Sequence, residues 1–365
     1  MIKKIYKKTK AWLDKYEKYL SPVAMGFGFV IDNLTLQRID LWIENLVIIT
    51  YLSIAVFSIL YLNIYKKKKY KNRFLSWLNL ILPFILQIVF GGLFSAFMVF
   101  YSRSATLFVS WPFLLILVSM LIGNELFRER YERLNFHLSI LYLAFFAYSV
   151  FAVPVLVGRI DVDIWMASGG LSLLLIIVVI LLLHRIDPEA IKKNKDYLLG
   201  SIIFIYALFN VLYFTNLIPP IPLSLKSAGV YHGINRSDSR YELFFEKPAW
   251  YEFWKETSST YHWQKGERVY IFSAIFAPTR FKQKIYHKWQ IYDEENNEWL
   301  ERDRLGYSIS GGRDGGYRGY TYKTNLELGK WRVDVITDDE KIIGRVKFEI
   351  IEKNSDLIFD QEINN

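Results

Sequence analysis

The chain has 365 residues, 52% of them hydrophobic and 17% aromatic, with 45 Lys/Arg against 36 Asp/Glu and a formal net charge of +9. The excess is confined to the first part: residues 1–225 carry 23 Lys/Arg against 13 Asp/Glu and residues 226–365 carry 22 against 23, so no basic soluble domain is available to bind nucleic acid. Cysteine is absent, which excludes disulfides, a thiolate nucleophile and Cys-ligated zinc or iron-sulfur clusters.

Residues 1–18, MIKKIYKKTKAWLDKYEK, form a basic amino-terminal segment with no small-residue cleavage site behind a proper apolar region, so a removable signal peptide is not expected. A hydrocarbon core about 30 Å thick takes roughly 20 apolar residues of helix. The runs 45–65, 74–102, 104–124, 164–183 and 197–225 contain no charged residue or histidine, and 134–158 contains only His137. Residues 19–36 are shorter and broken by Asp32, which leaves a seventh span or a re-entrant hairpin. Lys and Arg near short loops stay on the cytoplasmic side. If 19–36 crosses, the basic clusters 1–18, 66–73, 128–133 and 184–196 share one side, and only Arg38, Arg103 and Arg159 face the other. The pattern therefore predicts a membrane α-helical bundle of about seven spans over 19–225. Its amino terminus would be cytoplasmic and its carboxyl terminus periplasmic or extracellular.

Charged groups in mid-membrane mark ion or proton paths, and these spans hold almost none. Gln87 and Asn210 are the central amides. Interhelical hydrogen bonding is the simpler role for them; a transport or envelope-biosynthesis site among the spans would need Gln87, Asn210 and Asp32 on one water-lined cavity.

After the proline-rich exit IPPIPLSLK (218–226) and a linker over 226–239, the pattern turns to period-two alternation. Residues 240–247, 267–277, 282–292, 317–324, 330–337 and 341–351 are strand-like, rich in β-branched and aromatic residues and separated by turn signals. Five to eight such strands predict an all-β, antiparallel, immunoglobulin-like sandwich over 240–353, followed by a flexible tail, 354–365. Residues 248–263 interrupt the alternation as a short aromatic helix. Trp250, Tyr251, Phe253 and Trp254 are read as capping the sandwich rather than resting on membrane headgroups.

The stretch GGRDGGYRG (311–319) resembles a phosphate loop, but a Walker A loop ends in Gly-Lys-Ser/Thr and opens a helix. Here it runs into a strand, so Gly311, Gly312, Gly315 and Gly316 are expected to supply positive φ in a wide turn.

The strand IYHKWQIY, this turn and the strand pair GKWRVDVITDDEKIIGRVKFEI together resemble the bacterial domain of unknown function family 2914. The resemblance is carried by His287, Trp289, Arg313, Gly316, Arg318, Lys323, Gly329, Trp331, Arg332, Val333, Gly344 and Phe348, over roughly residues 265–351, and the multi-pass half in front is similar to longer members. It implies no established activity.

Arg313, Arg318 and Lys323 with His287 are the candidate anion-binding residues, because guanidinium groups chelate carboxylate and phosphate; the competing reading pairs them with the acids of DEENNEWLERD (293–303) on a solvated face. Trp289 and Trp331 are candidates for sugar stacking, against a core role for most of the tryptophans. No catalytic or metal constellation with recognisable spacing is present, and no cofactor is expected; the five histidines are scattered. The expected partners are the lipid bilayer and an envelope protein or an anionic or glycan ligand. The sequence thus points to a multi-pass protein that displays a β-sandwich for binding or sensing in the cell envelope, leaning away from catalysis.

Overall fold

In the computed structural model, residues 42–68, 72–104, 134–237, 240–252, 255–313, 315–353 and 360–364 are described, with the isolated positions 30, 34, 115 and 119. Five helices are long and apolar enough to cross a membrane. They are α1 (Trp42–Lys68), α2 (Arg73–Ser104), α3 (Leu134–Val157), α4 (Val162–Ile186) and α5 (Pro188–Phe214). The expected count of seven is not supported: the runs 19–36 and 104–124 fall almost wholly outside the described residues. The span expected over 197–225 is also shifted. Helix α5 starts at Pro188, where Asp187 caps it by accepting the Ala190 N–H at 3.3 Å, and it stops before Asn216, whose φ of 58° leaves the helical region.

Most of α1 to α5, up to residue 153 in α3 and from 165 in α4, forms one compact unit, and residues 154–164 with 216–365 belong to a second. In the first, α3, α4 and α5 meet through aromatic rings. Trp165 stacks on Tyr213 at 3.9 Å between centroids, and Phe146 lies 4.5 Å from Phe209. The Trp165 Nε1–H donates to Asn210 Oδ1 at 3.1 Å, so this amide joins two helices, as expected for a polar group in an apolar bundle. At another end of the same unit, Lys67 Nζ donates to the carbonyl of Ile186 at 2.8 Å and lies 3.7 Å from Asp187.

The second unit is rich in β structure. A three-stranded sheet has the order β1 (Ser224–Tyr231), β5 (Val269–Phe276), β8 (Tyr317–Lys323). A five-stranded sheet has the order β4 (Thr260–Trp263), β10 (Ile342–Glu352), β9 (Gly329–Thr337), β6 (Lys282–Asp293), β7 (Glu298–Ser310). A third has the order β11 (Asp360–Asn364), β3 (Arg240–Phe245), β2 (Gly233–Ser237). Three expectations change. Residues 226–239, read as a linker, contribute to β1 and β2; residues 360–364 of the expected tail pair with β3; and β4 runs parallel to β10, so the domain is not purely antiparallel. The expected helix over 248–263 is a single 3-10 turn, Trp250–Glu252, followed by β4.

The first two sheets pack face to face around two apolar clusters. One holds Trp289, Trp331, Val333, Phe348, Val269 and Ile271; the other holds Ile275, Phe281, Ile285, Val335 and Ile343, together with Leu223 and Ile160. Fully burying an Ile or Phe side chain stabilises by about 1.5–3 kcal/mol, and without disulfides these clusters are what hold the domain. Tyr231, Tyr241, Leu243, Phe272 and Ala274 form a third cluster between the outer face of the first sheet and β3.

The glycine-rich stretch is a turn between β7 and β8. Gly312 and Gly316 have φ of +95° and +83°, whereas Gly311 is required by space, since a Cβ there would lie 1.7 Å from the Pro278 carbonyl oxygen. Gly315 has neither constraint: its Cβ would meet only Arg318, at 3.7 Å. At Gly316 a Cβ would sit 2.9 Å from the backbone of Ile275 and strain a left-handed φ. Gly316→Ala is therefore expected to destabilise the β domain by more than about 1 kcal/mol, with Gly315→Ala near neutral. Denaturant melts of the full chain in detergent, followed through the buried tryptophans, check the difference.

Candidate functional site

Alternation along β6 decides the fate of the candidate residues. Ile285, His287 and Trp289 all point inward and are fully buried, and Trp331 on β9 meets Trp289 edge to face at 6.4 Å. Its indole N–H donates to the Glu327 carbonyl at 2.9 Å. Lys323, at the end of β8, pairs with Asp303 and lies 5.6 Å over the Trp331 ring. Arg318 stands opposite Ala274 on β8, and Arg313 is exposed on the turn with its guanidinium 5.5 Å from the Tyr317 ring. The six residues therefore do not converge: three are core, one is paired with an acid of the 293–303 stretch, Arg318 is half-buried and Arg313 is exposed.

What surrounds His287 was not visible in the sequence. Its Nε2 lies 2.9 Å from Ser273 Oγ, which lies 2.5 Å from the Tyr307 hydroxyl, and its Nδ1 lies 2.9 Å from Thr321 Oγ1. The Trp289 Nε1–H donates to the same Thr321 oxygen at 3.4 Å. The four partners come from β5, β7, β8 and β6, so the imidazole bonds one sheet to the other. A consistent proton order has Thr321 donating to Nδ1 and Nε2–H donating to Ser273, an assignment for a neutral ring. Burial pushes the His287 imidazole down to about 3. A serine beside a histidine is the geometry of an activated nucleophile. Here Ser273 and His287 are both 0% exposed, and a threonine occupies the position in which a carboxylate would orient the base. The group is a core hydrogen-bond hub without access for a substrate.

A second polar group lies at the His232 end of β1. Glu246 accepts from or shares a proton with His232 Nε2 at 2.8 Å and His262 Nδ1 at 2.7 Å, and it accepts the His262 backbone N–H at 2.8 Å. The His232 ring stacks on Tyr261 at 4.0 Å. Burial raises the Glu246 carboxyl, but the bonds from His232 and from the backbone and ring of His262 outweigh it and hold the group below its ordinary value. Sequence separations of 14 and 16 residues gave no local pattern to recognise. Among the described residues, no cluster of His, Asp and Glu is arranged to hold a metal ion.

Aromatic residues on the surface complete the inventory. Trp250 is 90% exposed with Tyr251 edge-on at 5.8 Å, so neither caps the core, while Phe253 and Trp254 lie outside the described residues. Tyr320 and Tyr322 project from β8 on either side of Tyr270, at 6.1 and 5.5 Å, and the Arg268 guanidinium covers Tyr322 at 4.9 Å. Trp263, Trp289 and Trp331 fill the core as anticipated.

Residues 282–350, from the start of β6 almost to the end of β10, match the family described as Protein of unknown function (DUF2914). No curated protein matches the chain. Among solved structures, the alkylpurine DNA glycosylase AlkC of Pseudomonas fluorescens, bound to DNA containing an abasic site analog, is similar at 10% identity over 86% of this chain and 99% of that one. Its TM-score of 0.20 carries no argument about fold or function.

The buried imidazole makes a pH prediction with a definite sign. Its folded value lies below the ordinary 6.5, so between pH 6.5 and about 3 the unfolded chain binds a proton that the folded chain refuses. This contribution to stability is complete above pH 6.5 and is lost as pH falls through that window, by up to about 1.4 kcal/mol per pH unit. His287→Gln is expected to be less stable at pH 7.5 but to lose less stability between pH 6.5 and 5. Denaturation midpoints at several pH values, compared between the two proteins, report both effects.

Proposed function

We propose that this chain, a membrane-type helical region joined to a β domain that matches the 2914 family, is a multi-pass membrane protein displaying an accessory β domain outside the cytoplasm for binding or sensing in the cell envelope. The observation that carries the reading is the combination of five apolar helices, among the described residues, with a β domain whose Ser273–His287 pair is sealed in the core. Such a domain offers surfaces rather than a reaction centre. Arg313 is the surviving candidate for an anionic ligand, and the tyrosines of β8 for a ring-shaped one. Asn210 bonded to Trp165 supports a structural use of the mid-span amides over a transport path.

The sidedness follows from charge and length. Lys67 reaches Ile186, so the basic clusters at 66–73 and 184–196 are brought together. Residues 158–161, at the other end of α4, are grouped with the β domain. Helix α4 has 25 residues and is roughly 37 Å long, more than a hydrocarbon core. Basic clusters stay preferentially in the cytoplasm, which supports the reading that the β domain is displayed on the other side. A reporter fused at Asn194 is expected to read the cytoplasm and one at Asn365 the exterior; a cytoplasmic report from Asn365 in membrane-integrated protein would reject the display reading.

A further inference from the structure

The turn that resembles a phosphate loop lies at a particular end of the β domain. Ser224 pairs with Phe276 and Ile275 with Tyr317, so β1 starts, β5 ends and β8 starts at the same end. Lys282 pairs with Ser310 at that end of the five-stranded sheet. The turn is bonded directly to the β5–β6 connection: the Gly311 N–H donates to the Phe281 carbonyl at 2.9 Å and the Gly312 N–H to the Ala277 carbonyl at 3.0 Å. Arg280, Lys282 and Arg313, all exposed, are thereby gathered on adjoining backbone.

The same end carries both connections to apolar helix. The Lys282 N–H donates to the Gly158 carbonyl at 3.3 Å, Ile160 is buried in the cluster with Phe281 and Ile285, and the Val162 N–H donates to Asp339. Gly158 directly follows α3, and Val162 opens α4. Leu223, eight residues beyond the last helical residue of α5 plus its cap, is buried in that cluster as well. If these helices span a bilayer, residues 158–161 lie where the chain turns at the headgroup layer, and Lys282 is one hydrogen bond away.

Acids are also present on this rim, and four of the described ones are engaged. Asp161 pairs with Arg159 at 3.1 Å, Asp339 accepts from Val162, Asp338 lies 3.9 Å from Arg304, and Glu340 lies 3.5 Å from both Arg304 and Lys288. Among the described residues, no acidic partner engages Arg280, Lys282 or Arg313.

We propose that Arg280, Lys282 and Arg313 form a basic rim that binds the phosphate groups of anionic membrane lipid, docking the β domain on the bilayer to which its chain is tied. The inference rests on the membrane reading above. Guanidinium forks match phosphate oxygens, and basic side chains beside a membrane are attracted to anionic headgroups over about a Debye length.

The test uses the full chain, whose lack of cysteine allows single labels. A fluorophore on Ser310→Cys reports the rim, and one on Asn296→Cys reports the β6–β7 turn, roughly 36 Å away along β6. Each protein is reconstituted in phosphatidylcholine vesicles with or without phosphatidylglycerol, both doped with headgroup-spin-labelled lipid as quencher. The expected result is stronger quenching at position 310 than at 296, with a further rise on adding phosphatidylglycerol. That rise should disappear in high salt and in the variant Arg280→Gln, Lys282→Gln, Arg313→Gln, whose melting temperature should match the parent. A position-310 label indifferent to phosphatidylglycerol, or responding equally in the folded triple variant, overturns the inference while leaving the membrane reading intact. Release of the chain from vesicles by alkaline carbonate overturns the membrane reading and the inference with it.

Discussion

The β domain depends on a neutral imidazole held between two sheets. His287 sits between the cluster of Trp289 and Trp331 and that of Ile285 and Val335, and its two nitrogens reach Ser273 on β5 and Thr321 on β8. An unsatisfied polar group at such a depth costs about 1–3 kcal/mol, so every member of the group must be in place for any to be tolerated. The requirement constrains the register of β6 against its neighbours β7 and β9, because a slip of one residue would turn His287 outward and Lys288 inward. Gly319 belongs to the same constraint, since a Cβ there would lie 2.2 Å from the Tyr307 ring that closes the network.

The Ser273–His287 pair is committed to holding the sheets together, and Trp250, Arg313, Tyr320 and Tyr322 are among the groups exposed at the surface. That surface is divided between two ends. Ile160, Leu223 and the glycine-rich turn mark the end where the chain leaves for apolar helix. The His232, Glu246 and His262 group and the exposed pair Tyr320 and Tyr322 lie toward the other end of β1, β5 and β8, as the pairing of Tyr231 with Tyr270 and of Tyr270 with Tyr322 requires.

Most strands were legible because burial on one face forces alternation: β3, β5 and β8 fall within the segments read from period two, and β6, β9 and β10 overrun theirs by one residue each. Strand β7 escaped because, of its 13 residues, only Ile309 is buried, so the run WLERDRLGYS carries little alternation. Strands β2 and β11 escaped for a related reason. They are short, and their role is to satisfy the edges of β3, which is a matter of pairing rather than of local pattern.

By itself the sequence determined the change from apolar helix to β structure near residue 220, the absence of covalent cross-links and the reading of GGRDGGYRG as a turn, because hydropathy, alternation and glycine φ preferences act over a few neighbouring residues. It also placed Trp289 and Trp331 where a core or a ligand platform were both open. Only the tertiary structure decided between these, and it alone brought Ser273 to His287, Glu246 to two histidines and Gly311 to Phe281. Those contacts join positions 14 to 30 residues apart, and which pairs meet is set by strand order and register, quantities that depend on all the sheets closing around one core at once.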